Sequence, residues 1–288
     1  MNNKDKYADP TLDWSFKRMF LSPGHEVVLK TFLNDVLEGE LVVEEVTSIK
    51  GLEQTEVDGK KIIYDIQCRS SKKENFIIEI QRQQASLFFK RLEYYRSRGI
   101  SGQIKTAERY PDIMPVIVIA VCDFPIIEAL FPSDKTVYFE KVYYHGLHTG
   151  KRIPGPPLFV FLDLPRYRAM GFPKNNILED WFQIFTCQDV PSEIVIEREN
   201  VRIALDDLAI DALSLEEKER MEVEALQKTK DWDVLTTAER RGIDKGKVEG
   251  IDIGKKTAKI EIYESLIASG IPKDEALKIV KLNLSDIT

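Results

Sequence analysis

The stretch MPVIVIAVCDF, Met114 to Phe124, constrains the fold most. It is a continuous apolar run rich in β-branched residues. A strand with one wet face alternates polar and apolar residues. A strand covered on both faces does not, so this run reads as the central strand of a layered sheet. Further strands are expected at Leu41 to Ile49, Lys61 to Arg69, Asn75 to Gln81, Thr136 to Tyr144 and Leu158 to Leu164. Asp58-Gly59 is a hairpin-turn dipeptide between two strand-like stretches. Asp9 to Asp13 reads as a turn and helix start. His25 to Leu37 carries Val28, Leu29, Phe32, Leu33 and Val36 at helical spacing. Gln84 to Arg98 reads as a helix ended by Gly99, and Asn176 to Phe185 as a helix with Trp181 and Phe185 on its buried side. Past Pro191 the strand signals stop. The expected fold class is α/β, a mixed central sheet flanked by helices, followed by a helical C-terminal region. The expected division is a core over 1–190, an acidic helical extension over 191–240, and a Gly-repeat helix and helical tail over 241–288.

Composition narrows the setting. No run approaches the roughly 18 uninterrupted apolar residues of a membrane helix, and Met1 to Asp13 lacks the apolar core of a secretory signal. Cys68, Cys122 and Cys187 are odd in number and far apart, which disfavours a disulfide framework and fits a reducing compartment. They are expected to be small buried apolar residues. A cytoplasmic protein without a membrane partner follows. The net charge of -7 is unevenly spread. Lys60 to Arg109 holds twelve Lys/Arg against five Asp/Glu, whereas Pro191 to Arg240 holds seven against fourteen. A local phosphate-binding surface beside an acidic, solvated region is one reading of this asymmetry, and charges scattered over exposed helices is the other.

Gly242, Gly246, Gly250 and Gly254 recur every four residues. On a helix they form one smooth stripe, at about 1 kcal/mol each relative to alanine. Close approach of a partner helix and a frayed, flexible linker are the two readings. The Lys, Asp and Glu between the glycines rule out a membrane span.

The chemistry centres on Asp65, Glu79 and Gln81. Alternation puts Asp65 with Gln67 and Arg69 on one face, and Glu79 with Ile77 and Gln81 on one face of the next strand. If the two strands form a hairpin centred near Lys72, Asp65 lies directly across from Glu79. Cross-strand Cβ atoms are about 5 Å apart, and two carboxylates so close repel unless a cation lies between them. Mg²⁺ prefers such oxygen ligands and could activate water for phosphodiester hydrolysis, with Gln81 beside it to position that water. A one-residue slip in register would separate the pair. On the following helix Arg91, Tyr94 and Arg98 share a face able to hold DNA phosphate, though solvated helix residues carry the same pattern. His145 and His148 lack a third zinc ligand, and neither a GxxxxGK[ST] phosphate loop nor a GxSxG elbow occurs.

Several stretches together resemble the PD-(D/E)xK nuclease superfamily, and within it the Rpn family of recombination-promoting nucleases and transposases. They are DPTLDWSFKRMF, TFLNDVL, YDIQCRSSKKENFIIEIQRQ, FFKRLEYYRSR, YPDIMPVIVIAVCDF, LFVFLDLPRY, LEDWFQIF, KGKVEGIDIGKK and LIASGIPKDEALKIVKLNLSDI. The resemblance implies a restriction-endonuclease-like core and a DNA endonuclease dependent on Mg²⁺ or Mn²⁺, linked to recombination, transposition or defence against foreign DNA. It implies that Asp65, Glu79 and the backbone carbonyl of Ile80 hold the metal, with Asp65, Glu79 and Gln81 catalytic. Arg91 and Tyr95 fall at matching places. Gln81 stands where the superfamily usually has lysine, so Lys90 or Arg91 is expected to supply the missing charge. Asp13 or Glu26 is a further acid for the site, and Lys17 a phosphate contact. DNA is the expected partner and a homodimer a further expectation, since nucleases that cut both strands often pair. A catalytically degenerate nucleic-acid-binding or regulatory protein acting through its C-terminal helices is the alternative.

Overall fold

The computed structural model describes residues 3–50, 55–57, 60–62, 65–82, 87–103, 113–132, 136–174 and 176–281. The helices are α1 (Asn3–Lys6), α2 (Asp13–Leu21), α3 (Glu26–Leu37), α4 (Phe88–Ser101), α5 (Ile126–Leu130), α6 (Leu164–Ala169), α7 (Glu179–Phe185), α8 (Glu199–Asp206), α9 (Leu215–Ala268) and α10 (Lys273–Val280). The strands are β1 (Val46–Lys50), β2 (Thr55–Val57), β3 (Lys60–Ile62), β4 (Ile66–Ser70), β5 (Asn75–Gln81), β6 (Val116–Cys122), β7 (Phe139–Val142) and β8 (Phe159–Asp163).

A six-stranded sheet runs in the order β1-β4-β5-β6-β8-β7. β5, β6 and β8 are mutually parallel, and the outer pairings are antiparallel. The sheet is therefore mixed, with β6 near its centre and every residue of β6 buried. Alternation along β6 explains the unbroken apolar run. Ile117, Ile119 and Val121 enter the core under α2, α3, α7 and α8. Val116, Val118, Ala120 and Cys122 enter a second core under α4 and α5. The first core holds a cluster of Phe16, Phe20, Phe32, Trp181 and Phe185, with ring centroids 5.0–6.5 Å apart. The Trp181 indole N–H, which needs a partner once buried, donates to Asp35 Oδ2 at 2.6 Å. All three cysteines are free and buried, as expected.

Three elements differ from expectation for local reasons. The strand expected from Leu41 begins only at Val46. Asn34 Oδ1 accepts from the Val43 N–H, and its amide donates to the Val43 carbonyl, at 2.8 and 2.9 Å. A side chain thus occupies the backbone groups a sheet neighbour would need. Gly99 does not end α4, which continues to Ser101. A Cβ at Gly99 would lie 3.0 Å from a Val116 methyl, so the residue permits close approach of α4 to β6. The stretch expected as one strand over Lys61 to Arg69 is β3 and β4. The Asp58-Gly59 turn lies outside the described residues, as do the first residues of the helix expected from Gln84; β2 and β3 pair antiparallel as a separate ribbon.

By internal contacts the chain forms two compact units, Met1–Glu224 and Ala225–Thr288. Residues beyond Pro191 still join the first core, through Ile194, Ile196, Val201, Ala204, Leu205 and Leu208. α9 runs unbroken through the glycine stripe. A Cβ at any of Gly242, Gly246, Gly250 or Gly254 would meet nothing within 4 Å, so the segment is helical, with no partner helix against those glycines among the described residues. Among the described residues, no helix is long and apolar enough to cross a membrane.

Candidate active site

The hairpin β4–β5 sets the site. Its four-residue connection is closed by Ser70 N–H to Glu74 O and Lys73 N–H to Ser70 O, both at 3.0 Å, and by the Ser70 hydroxyl on the Glu74 carboxylate. This fixes the register as Ile66↔Ile78, Gln67↔Ile77 and Cys68↔Phe76, the register expected for a hairpin centred near Lys72. Ile66, Cys68, Phe76 and Ile78 point into the first core. Asp65 and Glu79 therefore belong to the opposite face, the one covered by α4.

Each carboxylate accepts a backbone N–H from the facing segment of the hairpin. The Ile80 N–H donates to Asp65 Oδ2 at 2.7 Å, and the Asp65 N–H donates to Glu79 Oε1 at 3.2 Å. Glu79 is only 3 % exposed. Burial pushes both carboxyls above the usual carboxylate range, and the neighbouring Asp65 charge pushes Glu79 further. The charges of Asp13 and Lys17 on α2 also act on Asp65, Asp13 raising its carboxyl and Lys17 lowering it.

Arg91, on α4, reaches the same place. Its Nη2 donates to Gln81 Oε1 at 2.6 Å and lies 4.0 Å from Glu79 Oε2. Its guanidinium rests over the Phe88 and Tyr95 rings, 5.1 and 5.8 Å from their centroids, a cation–π arrangement that orients the fork. Its Nε is buried with no hydrogen-bond partner among the described residues. Of the two helix cations named from the sequence, Arg91 is the one at the pair, and Lys90 is exposed.

The remaining residues divide. Tyr95, rather than Tyr94, lies against Arg91; burial raises its phenol, and Glu79 adds to the effect. Tyr94 is exposed, and Arg98 is partly so, one turn further along α4. Lys17 pairs with Asp13 at 2.6 Å. Glu26 opens α3. Among the described residues, no group of three or more His, Cys, Asp or Glu side chains comes together as a metal cage. The donor set is thus two carboxylates, with Ile80 O adjacent in sequence. A buried and a partly buried carboxylate that repel each other are a fit for a hard divalent cation completed by water and phosphate.

Sequence reasoning missed a group at the C-terminal ends of the parallel strands. Gln81 and Cys122 are register partners, and the Asp123 N–H donates to Gln81 O at 2.8 Å. Arg82 follows Gln81 and lies between Asp9 and Asp123, at 3.4 and 3.7 Å. Arg168 pairs with Asp123 at 2.5 Å and with Asp189 at 2.7 Å. The signal available was position: ligands of parallel sheets gather at the carboxyl ends of strands, and Asp123 directly follows the most buried one.

The raised pair carries a linkage prediction. In the folded chain these carboxyls hold protons that the unfolded chain releases. Their contribution to stability is whole below the ordinary carboxylate range and is lost as pH rises through the raised values. The pair is therefore expected to lower the melting temperature of metal-free protein as pH rises from about 4 to about 8. Mg²⁺ is expected to raise it more at the alkaline end, where the ligands are ionised. Scanning calorimetry with EDTA and with Mg²⁺ across that range checks both signs. A Mg²⁺ effect that grew toward acid would place the ion elsewhere.

A family model described as PD-(D/E)XK nuclease family transposase matches residues 10–239. No curated protein and no solved structure matches the chain.

Proposed function

Since this chain belongs to the PD-(D/E)XK nuclease family transposases, we propose that it is a metal-dependent DNA endonuclease acting at the Asp65/Glu79 pair. The observation that carries this reading is the pair itself: two repelling carboxylates, Glu79 buried and Asp65 partly so, brought together by the β4–β5 hairpin, with Gln81 and Arg91 alongside. Asp65, Glu79 and the Ile80 carbonyl would hold Mg²⁺ or Mn²⁺. Bound there, the ion would polarise the scissile phosphate and lower the pKa of a water. The chain's own groups do the rest. Arg91 fixes the Gln81 amide through Oε1, and the amide would help orient water or a phosphate oxygen. Arg91 brings a permanent positive charge to where negative charge grows on the phosphate, and its Nε is a further donor. Lys17, Tyr94 and Arg98 are proposed DNA contacts, and Arg82 joins them. The biology proposed is recombination, transposition or defence against mobile DNA.

Nicking and linearisation of supercoiled plasmid by purified protein tests this, with Mg²⁺, with EDTA and with Asp65→Ala. Cutting that needs the metal and vanishes in the variant supports a nuclease at this pair. Wild-type protein that binds DNA but cuts under no divalent ion is instead a degenerate binding protein.

A further inference from the structure

Gln81 is the last residue of β5, and a strand end frays unless something ties it. Three ties hold this one, and two of them pass through Asp123. The first is backbone. Gln81 and Cys122 are register partners in the parallel pair β5–β6. The Asp123 N–H, one residue past the end of β6, donates to the Gln81 carbonyl at 2.8 Å. The second tie lies on the opposite face. Successive strand side chains alternate, so with Gln81 turned toward α4, Arg82 turns the other way. There its guanidinium lies 3.7 Å from an Asp123 carboxylate oxygen and 3.4 Å from one of Asp9. The third tie is the Arg91 bond to Gln81 Oε1 at 2.6 Å, whose donor nitrogen is also 4.0 Å from Glu79 Oε2. Contacts thus run without a break from Asp123 to the acidic pair.

Asp123 is itself held. Its Oδ1 accepts from Arg168 of α6 at 2.5 Å, and Arg168 Nε donates to Asp189, past α7, at 2.7 Å. Asp9 is held in turn by the Thr11 N–H and hydroxyl, which donate to its Oδ1 at 2.9 and 2.6 Å. Two arginines and three aspartates therefore cross-link the ends of β5 and β6 to α6, to the segment after α7 and to the turn before α2. Asp123 is the carboxylate of the three that meets both arginines. Without it each arginine keeps a second carboxylate, Asp9 for Arg82 and Asp189 for Arg168. Removing the Asp123 carboxylate therefore loosens one joint and leaves no buried charge without a partner.

We infer that Asp123 is a positioning residue for Gln81: its N–H holds the Gln81 carbonyl, and its carboxylate, between Arg82 and Arg168, fixes the strand end from which the Gln81 amide meets Arg91. The inference deepens the proposed function and rests on Gln81 acting in the cutting step. Asp123 is neither a metal ligand nor a reacting group.

The test uses full-length protein and reads single-turnover plasmid cutting, Mn²⁺ binding by titration calorimetry, and amide exchange by NMR in metal-free protein. Asp123→Ala is expected to cut about tenfold more slowly, since misplacing a reacting group by about 1 Å costs up to about a hundredfold. Mn²⁺ affinity stays within about twofold. The N–H at position 123 loses about tenfold in protection, whereas the Val118 N–H, bonded to the Leu158 carbonyl in mid-strand, keeps its own. Asp123→Asn retains shape and one acceptor, so part of the rate returns, and it carries the same measurements if Asp123→Ala does not fold. Glu128→Ala removes an exposed charge nearby on α5 and is expected to cut as wild type. The deciding measurement repeats Asp123→Ala in a Gln81→Ala background. If Asp123 acts through Gln81, the second substitution slows cutting by less than about twofold. A full tenfold loss in that background would overturn the inference, leaving Asp123 a structural brace. So would unchanged protection at position 123, or a Gln81→Ala protein that cuts as wild type. Wild-type protein that neither binds Mn²⁺ nor cuts would instead overturn the proposed function and take this inference with it.

Discussion

Asp65→Asn and Glu79→Gln are each expected to abolish cutting while raising the melting temperature of the metal-free protein. Both effects come from one cause. Desolvation pushes both carboxyls upward, Glu79 also through its neighbour. Each accepts a single backbone N–H, from Ile80 and Asp65 respectively. An amide keeps a carbonyl oxygen for that bond and removes the buried charge. At about pH 9, where the charged forms are populated, each substitution is expected to stabilise the apo protein. The gain is on the order of 1 kcal/mol, since one pKa unit corresponds to about 1.4 kcal/mol. That corresponds to roughly 2–4 °C for a chain of this size. The same substitutions remove a metal ligand. The cutting rate should fall by more than about a hundredfold, beyond what loss of an outer partner costs. Plasmid cutting and calorimetry on the same preparations read both. Variants that melt several degrees lower without metal would show the pair to be structural. Variants that still cut would take it out of the chemistry.

The legible part of this molecule was the part that two rules control. Strand alternation and hairpin closure together fix which residues oppose each other. Hence the Ile66↔Ile78 register, and with it the meeting of Asp65 and Glu79, could be read from the spacing of one short polar connector. The apolar run at Val116–Cys122 gave the central strand in the same way, because only burial on both faces permits it. Where legibility failed, a side chain had taken over a backbone's role. Asn34 occupies the groups of Val43, and Glu224 stands in for the cap that Leu12 lacks. Such contacts join residues far apart in the chain and leave no periodic trace. Which of Tyr94 and Tyr95 lies against Arg91 was left open for a different reason. Both lie about one turn from Arg91, and spacing alone does not say which is turned toward the sheet. The fold decides it through Glu79, Arg91 and Phe88 on the buried side.

The same closeness of α4 to β5 brings a cation to Gln81. A nuclease of this kind usually has a lysine there, and glutamine brings no charge. On the proposed function the charge would come instead from Arg91, one hydrogen bond away from the amide. Arg91→Ala is therefore expected to lower the cutting rate about 10²–10³-fold, the scale for losing one donor aimed at developing charge. Mn²⁺ binding should survive within a few-fold, since Arg91 is not a ligand. Packing must be separated from charge, because the arginine stem and fork rest on Phe88 and Tyr95. Arg91→Met keeps most of that volume, and it is expected to melt near wild type and still not cut. Arg91→Lys restores charge without the planar fork, so only part of the rate should return. The decisive variant is Gln81→Lys in the Arg91→Met background. If Arg91 stands in for the missing lysine, a lysine at 81 recovers a substantial share of the lost rate. If cutting stays at the Arg91→Met level while metal and DNA are bound normally, the arginine is needed where it stands, as a clamp on the Gln81 amide rather than as a relocated charge.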